Sequence, residues 1–204
     1  MKLLGRPVDR TVENLDVSIP EHAEFMFDLA MACKEDMFDD YDTDIIQIID
    51  DYKRALDRGI AKMFLCRVEG EKAGIVWVDL DTKGIGYLHA GLLPEFRTGF
   101  TALYFFRRFI EYCFETLNLR SLEMGIPTRN RKAEAIVRRI GFKKYGIKPA
   151  ATTVNGQPIP LVLLAFTRDQ YKGRKNGIKS EFQQKRKRKW GSASTDTTAA
   201  ERVV

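Results

Sequence analysis

Apolar positions along the chain follow two rhythms, one near 3.6 residues and one of two residues. Residues 10–17 read as a first strand. Pro20-Glu21-His22 opens a helix, with proline and an acid in the first turn where each is favoured. Phe25, Leu29, Ala32 and Cys33 mark its buried face. A second helix over 43–58 is predicted by Ile45, Ile48, Ile49, Tyr52, Ala55 and Leu56, and ends before Gly59. Two antiparallel strands follow, Lys62–Val68 and Gly74–Leu80, around a glycine-containing loop at 69–72. After a turn at 81–84, Ile85–Leu93 is a third strand of this part. A helix from Thr101 to Leu117 presents Leu103, Phe106, Phe109 or Ile110, Cys113 and Leu117 on one side. Leu119–Ile126 is a strand and 131–140 a helix. Ala150–Val154 and Pro160–Thr167 then flank Asn155-Gly156-Gln157, a turn signal between two strands.

This order predicts a mixed α/β fold in one domain, over residues 1–171. From Tyr171 onward the pattern stops. Residues 172–189 carry nine basic side chains and one acid, a balance of +8, and 190–204 carry −1. The other 171 residues sum to −1, so the high isoelectric point belongs to the tail. Residues 172–204 are expected to be an extended or disordered basic tail, since such composition cannot bury a core. Lys185–Lys189 followed by Trp190 could grip phosphate backbone with indole stacking, dock on an acidic protein surface, or stay solvated.

The longest apolar runs, such as 161–166, are far shorter than a bilayer span, and the first residues lack the apolar core of a signal peptide. Cys33, Cys66 and Cys113 are odd in number, widely spaced and set among apolar residues. They read as reduced core thiols of a cytoplasmic protein, with neither a disulfide frame nor a metal site expected.

Two segments carry candidate chemistry. In the first, the strand ending at Leu93 leads through Pro94-Glu95-Phe96-Arg97-Thr98-Gly99 into a long helix. Free amides and the helix dipole there favour a phosphate, Arg97 could add a charge-assisted contact, and Gly99 could supply a positive φ. In the second, Asn130 is a good N-cap, Ala133, Ile136, Val137 and Ile140 form the buried stripe, and Gly141-Phe142 makes a natural stop.

The joint spacing of Asn130, Ala133, Gly141 and Phe142, with Arg97 and Ala102 upstream, resembles the GCN5-related N-acetyltransferase (GNAT) superfamily. The resemblance implies a central, mostly antiparallel sheet flanked by helices. It also implies acetyl-CoA as acyl donor, no metal, and an amine-bearing acceptor, either a small molecule or a protein. Leu93, Arg97, Gly99, Phe100, Thr101 and Ala102 would hold the pyrophosphate, and Asn130 and Ala133 the pantetheine arm. Phe100 stands where the family pattern expects its middle glycine, and Gly99 lies one residue early. Val137 stands where these enzymes often carry a tyrosine that protonates the leaving thiolate. His89 is the candidate general base, and Tyr87, two residues away on the same strand face, a candidate hydrogen-bond donor.

Residues 35–51 carry eight acids and no base. They could attract a cationic acceptor such as a polyamine or lysine side chain, or form a solvated face, or receive a basic partner. A second function stays open on these residues. The fold could serve as a scaffold in an assembly such as a viral particle, with 172–190 contacting protein or nucleic acid.

Overall fold

A computed structural model describes residues 8–33 and 45–175. In chain order its elements begin with β1 (Arg10–Asn14), α1 (Pro20–Ala32), α2 (Ile45–Asp57), β2 (Ala61–Val68), β3 (Glu71–Leu80) and β4 (Ile85–Leu92). A single 3-10 turn at Pro94–Phe96 leads to α3 (Gly99–Glu115), β5 (Ser121–Pro127), α4 (Arg131–Ile140), β6 (Lys143–Val154) and β7 (Gln157–Thr167). The strands form one seven-stranded sheet in the order β1-β2-β3-β4-β5-β7-β6. Every neighbouring pair is antiparallel except β4 and β5, which run parallel. This is the mixed α/β, mostly antiparallel architecture expected from the sequence.

The sheet is buried on both faces at its centre, which is why β2 and β3 read as nearly continuous apolar runs. One face carries Met63, Leu65, Ile75 and Trp77, which join Phe25, Met26 and Leu29 of α1 and Ile49 of α2 in one cluster. Tyr52 of α2 meets Trp77 edge-on, ring centroids 5.5 Å apart. The opposite face packs on α3. Phe64 meets Phe109 at 5.4 Å, and Phe166 of β7 meets Phe114 at 5.7 Å.

Several boundaries differ from the periodicity reading. α3 begins at Gly99, and its fully buried side is Ala102, Phe105, Phe109, Ile110, Cys113 and Phe114, while Leu103, Phe106 and Leu117 are half-buried. Adjacent phenylalanines give two overlapping apolar stripes, and the position of the sheet decides which faces inward. In α1, Ala32 is exposed while Met26 and Ala30 are buried. The β2–β3 hairpin closes through a two-residue turn with positive φ at both Glu69 and Gly70, so β3 starts earlier than predicted.

The largest miss is β6, twelve residues long where only its last five were expected. Its first half reads Lys-Lys-Tyr-Gly-Ile-Lys-Pro, a poor strand by composition. As an edge strand with register shifts at Lys144/Gly146 and Lys148/Thr152 and a positive φ at Ala150, it tolerates the proline and displays lysines.

The chain divides into two units at Thr167/Arg168. In the second, residues 168–175 are helical, so the first four positions of the expected extended tail lie in a helix. The basic run 185–189 and Trp190 fall outside the described residues, as do Glu35–Asp44 of the acidic stretch. Asp50 and Asp51, which are described, pair within α2 with Lys53 and Arg54. All three cysteines are buried free thiols. Among the described residues no helix is long and apolar enough to cross a membrane.

Candidate functional site

The parallel pair β4/β5 makes only three rungs, Ile85↔Ser121, Gly86↔Leu122 and Tyr87↔Glu123. Beyond them β4 runs on to Leu92, still paired to β3, and β5 runs on to Pro127, still paired to β7. The two strands therefore part in a V whose inner edges keep unpaired backbone groups. Unpaired edges ask for a partner. The chain leaving β4 enters α3 and the chain leaving β5 enters α4, so two helix N-termini follow the open ends of the parting strands. Their dipoles make that mouth favourable for an anion.

At α3 the cap is Thr98, whose Oγ1 accepts from the Thr101 amide at 3.2 Å. The Ala102 amide donates to the Thr98 carbonyl at 3.0 Å. Of the expected phosphate-binding amides, Thr101 and Ala102 are thus committed within the helix, and that of Leu93 donates to the Ala73 carbonyl at 2.9 Å. Gly99 and Phe100 retain amides with no partner among the described residues. Gly99 does not use a positive φ, contrary to expectation. It is the first helical residue, and Thr98 makes the turn by capping. A Cβ at Gly99 would meet nothing within 4 Å, so the glycine leaves open space beside those two amides. The Phe100 side chain is 80% exposed.

Arg97 is turned onto protein groups. Its Nε donates to the Leu92 carbonyl at 2.8 Å, and its Nη2 lies 3.0 Å from Cys33 Sγ at the end of α1. It fastens α1 to the end of β4.

At α4, Asn130 Oδ1 accepts from the Ala133 amide at 3.1 Å, the cap expected from sequence. That leaves the Nδ2 donor of Asn130 for another partner. Ala133 is half-buried in the first turn, and Val137 is 1% exposed, sealed against the core. Gly141 takes φ 137° and Phe142 folds back, its amide donating to the Val137 carbonyl at 3.2 Å.

His89 and Tyr87 point to the sheet face that carries Trp77. The His89 ring stacks on Trp77 at 4.9 Å with a 10° interplanar angle, following the rung Trp77↔His89. His89 Nε2 is 3.0 Å from Asp79 Oδ2 but out of line for a hydrogen bond, and it is shielded from solvent. Tyr87 is half-exposed at the apex of the V. On the same sheet face a small apolar cavity is lined by Met26, Ile48, Tyr52, Met63, Ile75 and Trp77.

Sequence reasoning missed the partners on the other side of the apex. Tyr145 of β6 donates through its hydroxyl to Glu123 Oε2 at 3.0 Å. Burial, and then the Glu123 bond and charge, push the Tyr145 pKa above its ordinary value. Glu123 carried a signal in principle, as a polar position alternating with Leu122 and Met124 in a strand. Tyr145 carried none, because the part of β6 that holds it was not predicted.

By sequence the chain matches no family model and no curated protein. By structure it superposes on the spermidine N-acetyltransferase SpeG of Vibrio cholerae in complex with CoA and spermine. That match has TM-score 0.70 and 16% identity, and covers 79% of this chain and 97% of that one. The chain has the GNAT fold. Mutant forms of the same bacterial enzyme match with TM-score 0.70 and 17% identity, over 81% of this chain and 98% of theirs. Its dodecameric structure in an intermediate state matches with TM-score 0.69 and 16% identity, over 81% and 97%.

Within the GNAT fold, both departures from the family pattern take physical form. Phe100 projects from the first turn of α3 into solvent, at the rim of the mouth. Val137 completes the packing of α4 against the sheet, a position where a hydroxyl would have to be accommodated by the core.

Proposed function

We propose that this protein transfers an acetyl group from acetyl-CoA to a primary amine, within residues 1–171 of a cytoplasmic protein. The observation that carries the reading is the V between β4 and β5, with the N-termini of α3 and α4 following its two arms. A linear ligand with a diphosphate at one end and amides along its length matches unpaired strand edges leading to the free Gly99 and Phe100 amides of α3. The SpeG enzyme that shares the fold has been seen with CoA and spermine, which supports an acyl-CoA donor and an amine acceptor.

The donor residues fit acetyl-CoA, which supplies an activated thioester. Gly99 and Phe100 amides, with the α3 dipole, hold the diphosphate. Leu93, Thr101 and Ala102 shape that loop through their internal bonds. Arg97 assists once released from Leu92 and Cys33. Asn130 offers Nδ2 to a pantetheine carbonyl, with Ala133 keeping the wall low beside it. An edge amide of β4 beyond Tyr87 polarises the acyl carbonyl.

The acceptor nitrogen must be neutral to attack. His89, oriented by Trp77 and facing Asp79, takes the proton, and Tyr87 hydrogen-bonds at the apex. A C–N bond forms, the C–S bond breaks, and its electron pair leaves on sulfur. Val137 has no ionisable proton to give, so the thiolate is protonated from solvent. The basic segment 172–204 stays a candidate arm for a protein or nucleic-acid partner.

Calorimetric titration with acetyl-CoA, followed by a thiol-release assay with spermidine, tests this. Binding of micromolar order and amine-dependent thiol release are expected. No binding at millimolar acetyl-CoA would overturn the reading.

A further inference from the structure

One row of residues crosses five strands on the face that bears Trp77: Asp79 of β3, Tyr87 of β4, Glu123 of β5, Ala165 of β7 and Lys143 of β6. Tyr87 and Glu123 are the last rung before the V opens. On the opposite face Leu88, Leu122 and Leu164 are buried, in the layer that packs on α3. On this face Tyr87 is 45% exposed, and Glu123 and Ala165 are half-buried, so the row is open to solvent.

Tyr145 sits at the β6 register shift, two strands from Glu123. Strands lie about 4.8 Å apart, so its hydroxyl must cross β7 to reach β5. Ala165 stands between them in the row, and its methyl leaves the room that a larger side chain would take. The bond at 3.0 Å fixes one carboxylate oxygen, Oε2. The other, Oε1, has no partner among the described residues, and no cation there pairs with Glu123.

We infer that Glu123 is the docking carboxylate for the cationic amine acceptor, held in aim by Tyr145 and flanked by the Tyr87 ring. The inference rests on the acetyltransferase reading, whose donor ligand would bring its acyl group down the V toward this rung. A fixed anion with one free oxygen beside two tyrosine rings suits an alkylammonium, which gains both charge and ring attraction. Lys143, at the far end of the row, is separated from Glu123 by β7 and does not neutralise it. Asp79 lies on the other side of Tyr87, toward His89, and adds a second negative group to the niche. The sources of such an ammonium are a free polyamine or a lysine side chain. The niche lies at the foot of an open cleft and takes a slender chain end of either kind.

The test is calorimetric titration of the full chain, with and without CoA, by spermidine and by a lysine-containing peptide. The comparison is between wild type, Glu123→Gln and Tyr145→Phe. Glutamine keeps an acceptor for Tyr145 and removes only the charge. Glu123→Gln is expected to weaken amine binding about tenfold or more, and Tyr145→Phe about two- to fivefold, with acetyl-CoA affinity unchanged in both. Whichever amine binds more tightly to wild type names the source. Wild-type amine affinity in Glu123→Gln, or no binding of either amine to wild type, would overturn the inference. Loss of acetyl-CoA binding by wild type would instead count against the parent reading, and the amine titrations without CoA still decide the role of Glu123.

Discussion

Asn130 is asked to do two jobs, and substitutions can separate them. Its Oδ1 caps α4 through the Ala133 amide at 3.1 Å, and its Nδ2 is the donor proposed for the pantetheine arm. Asn130→Ala removes both. Loss of an N-cap costs about 1 kcal/mol, which for a domain of this size lowers Tm by roughly 2–4 °C. α4 has only ten residues and cannot stand without its cap and its packing, so the cost falls on the whole unit. Losing one neutral hydrogen bond to the ligand, about 0.5–1.5 kcal/mol, weakens acetyl-CoA binding by roughly two- to tenfold. Asn130→Asp is the informative change. Aspartate caps as well as asparagine and suits the helix dipole, so Tm should match wild type. It has no Nδ2 donor and places a negative charge at the mouth, so acetyl-CoA affinity should fall at least as far as in Asn130→Ala. Thermal melts paired with calorimetry read both quantities. An Asn130→Asp variant that binds acetyl-CoA like wild type would refute the pantetheine contact. An Asn130→Ala variant with unchanged Tm would refute the cap.

Phe100→Gly removes a ring that packs on little and stands at the rim of the mouth. Acetyl-CoA binding is expected to tighten two- to fivefold by calorimetry, and unchanged or weaker affinity would show that the ring does not obstruct the diphosphate. Phe105→Ala, at a fully buried position of α3, should cost about 3–5 kcal/mol in urea unfolding, and a loss below 1 kcal/mol would contradict the packing described. The raised pKa of Tyr145 predicts a stability term present below the ordinary tyrosine value of about 10 and lost as pH rises through the higher folded value. Tyr112 is shifted the same way by burial, so the measured quantity is the difference between wild type and Tyr145→Phe. The variant should lose less Tm between pH 9 and 11, and parallel curves would remove the assigned cause. Burial pushes the Cys66 thiol up to about 12 and Cys113 higher still, so both should resist alkylation in native protein at pH 8 and react only on unfolding.

The parts of the fold that were legible in sequence are those written locally. α4 came out with its observed limits because a cap, an apolar stripe and a terminal glycine all lie within twelve residues. The turn Asn155-Gly156 was equally plain, and both residues take positive φ. The first seven residues of β6 were missed because an edge strand need not look apolar, and Pro149 with three lysines argued against it. The site divides in the same way. The proposed phosphate loop and Asn130 were visible as helix starts, though which amides are free follows from bonds to Ala73 and Thr98 that no spacing announces. The pairing of Glu123 with Tyr145 depends on strands that are not neighbours in the sheet.

The order β5-β7-β6 also bears on how this chain is made. The strand synthesised last of the seven takes an interior place next to the edge, between two that precede it. Until Thr167 has been made, β5 lacks one neighbour and β6 lacks its only one, however well the first four strands have assembled. β7 meets β6 across the tight turn at Asn155-Gly156, but its pairing with β5 joins strands separated in the chain by α4 and β6 and is slow for that reason. During that interval the exposed edges are the point at which a nascent copy is most open to pairing with another chain. The lysines and register shifts of β6 then act as protection for an intermediate as much as for the finished protein.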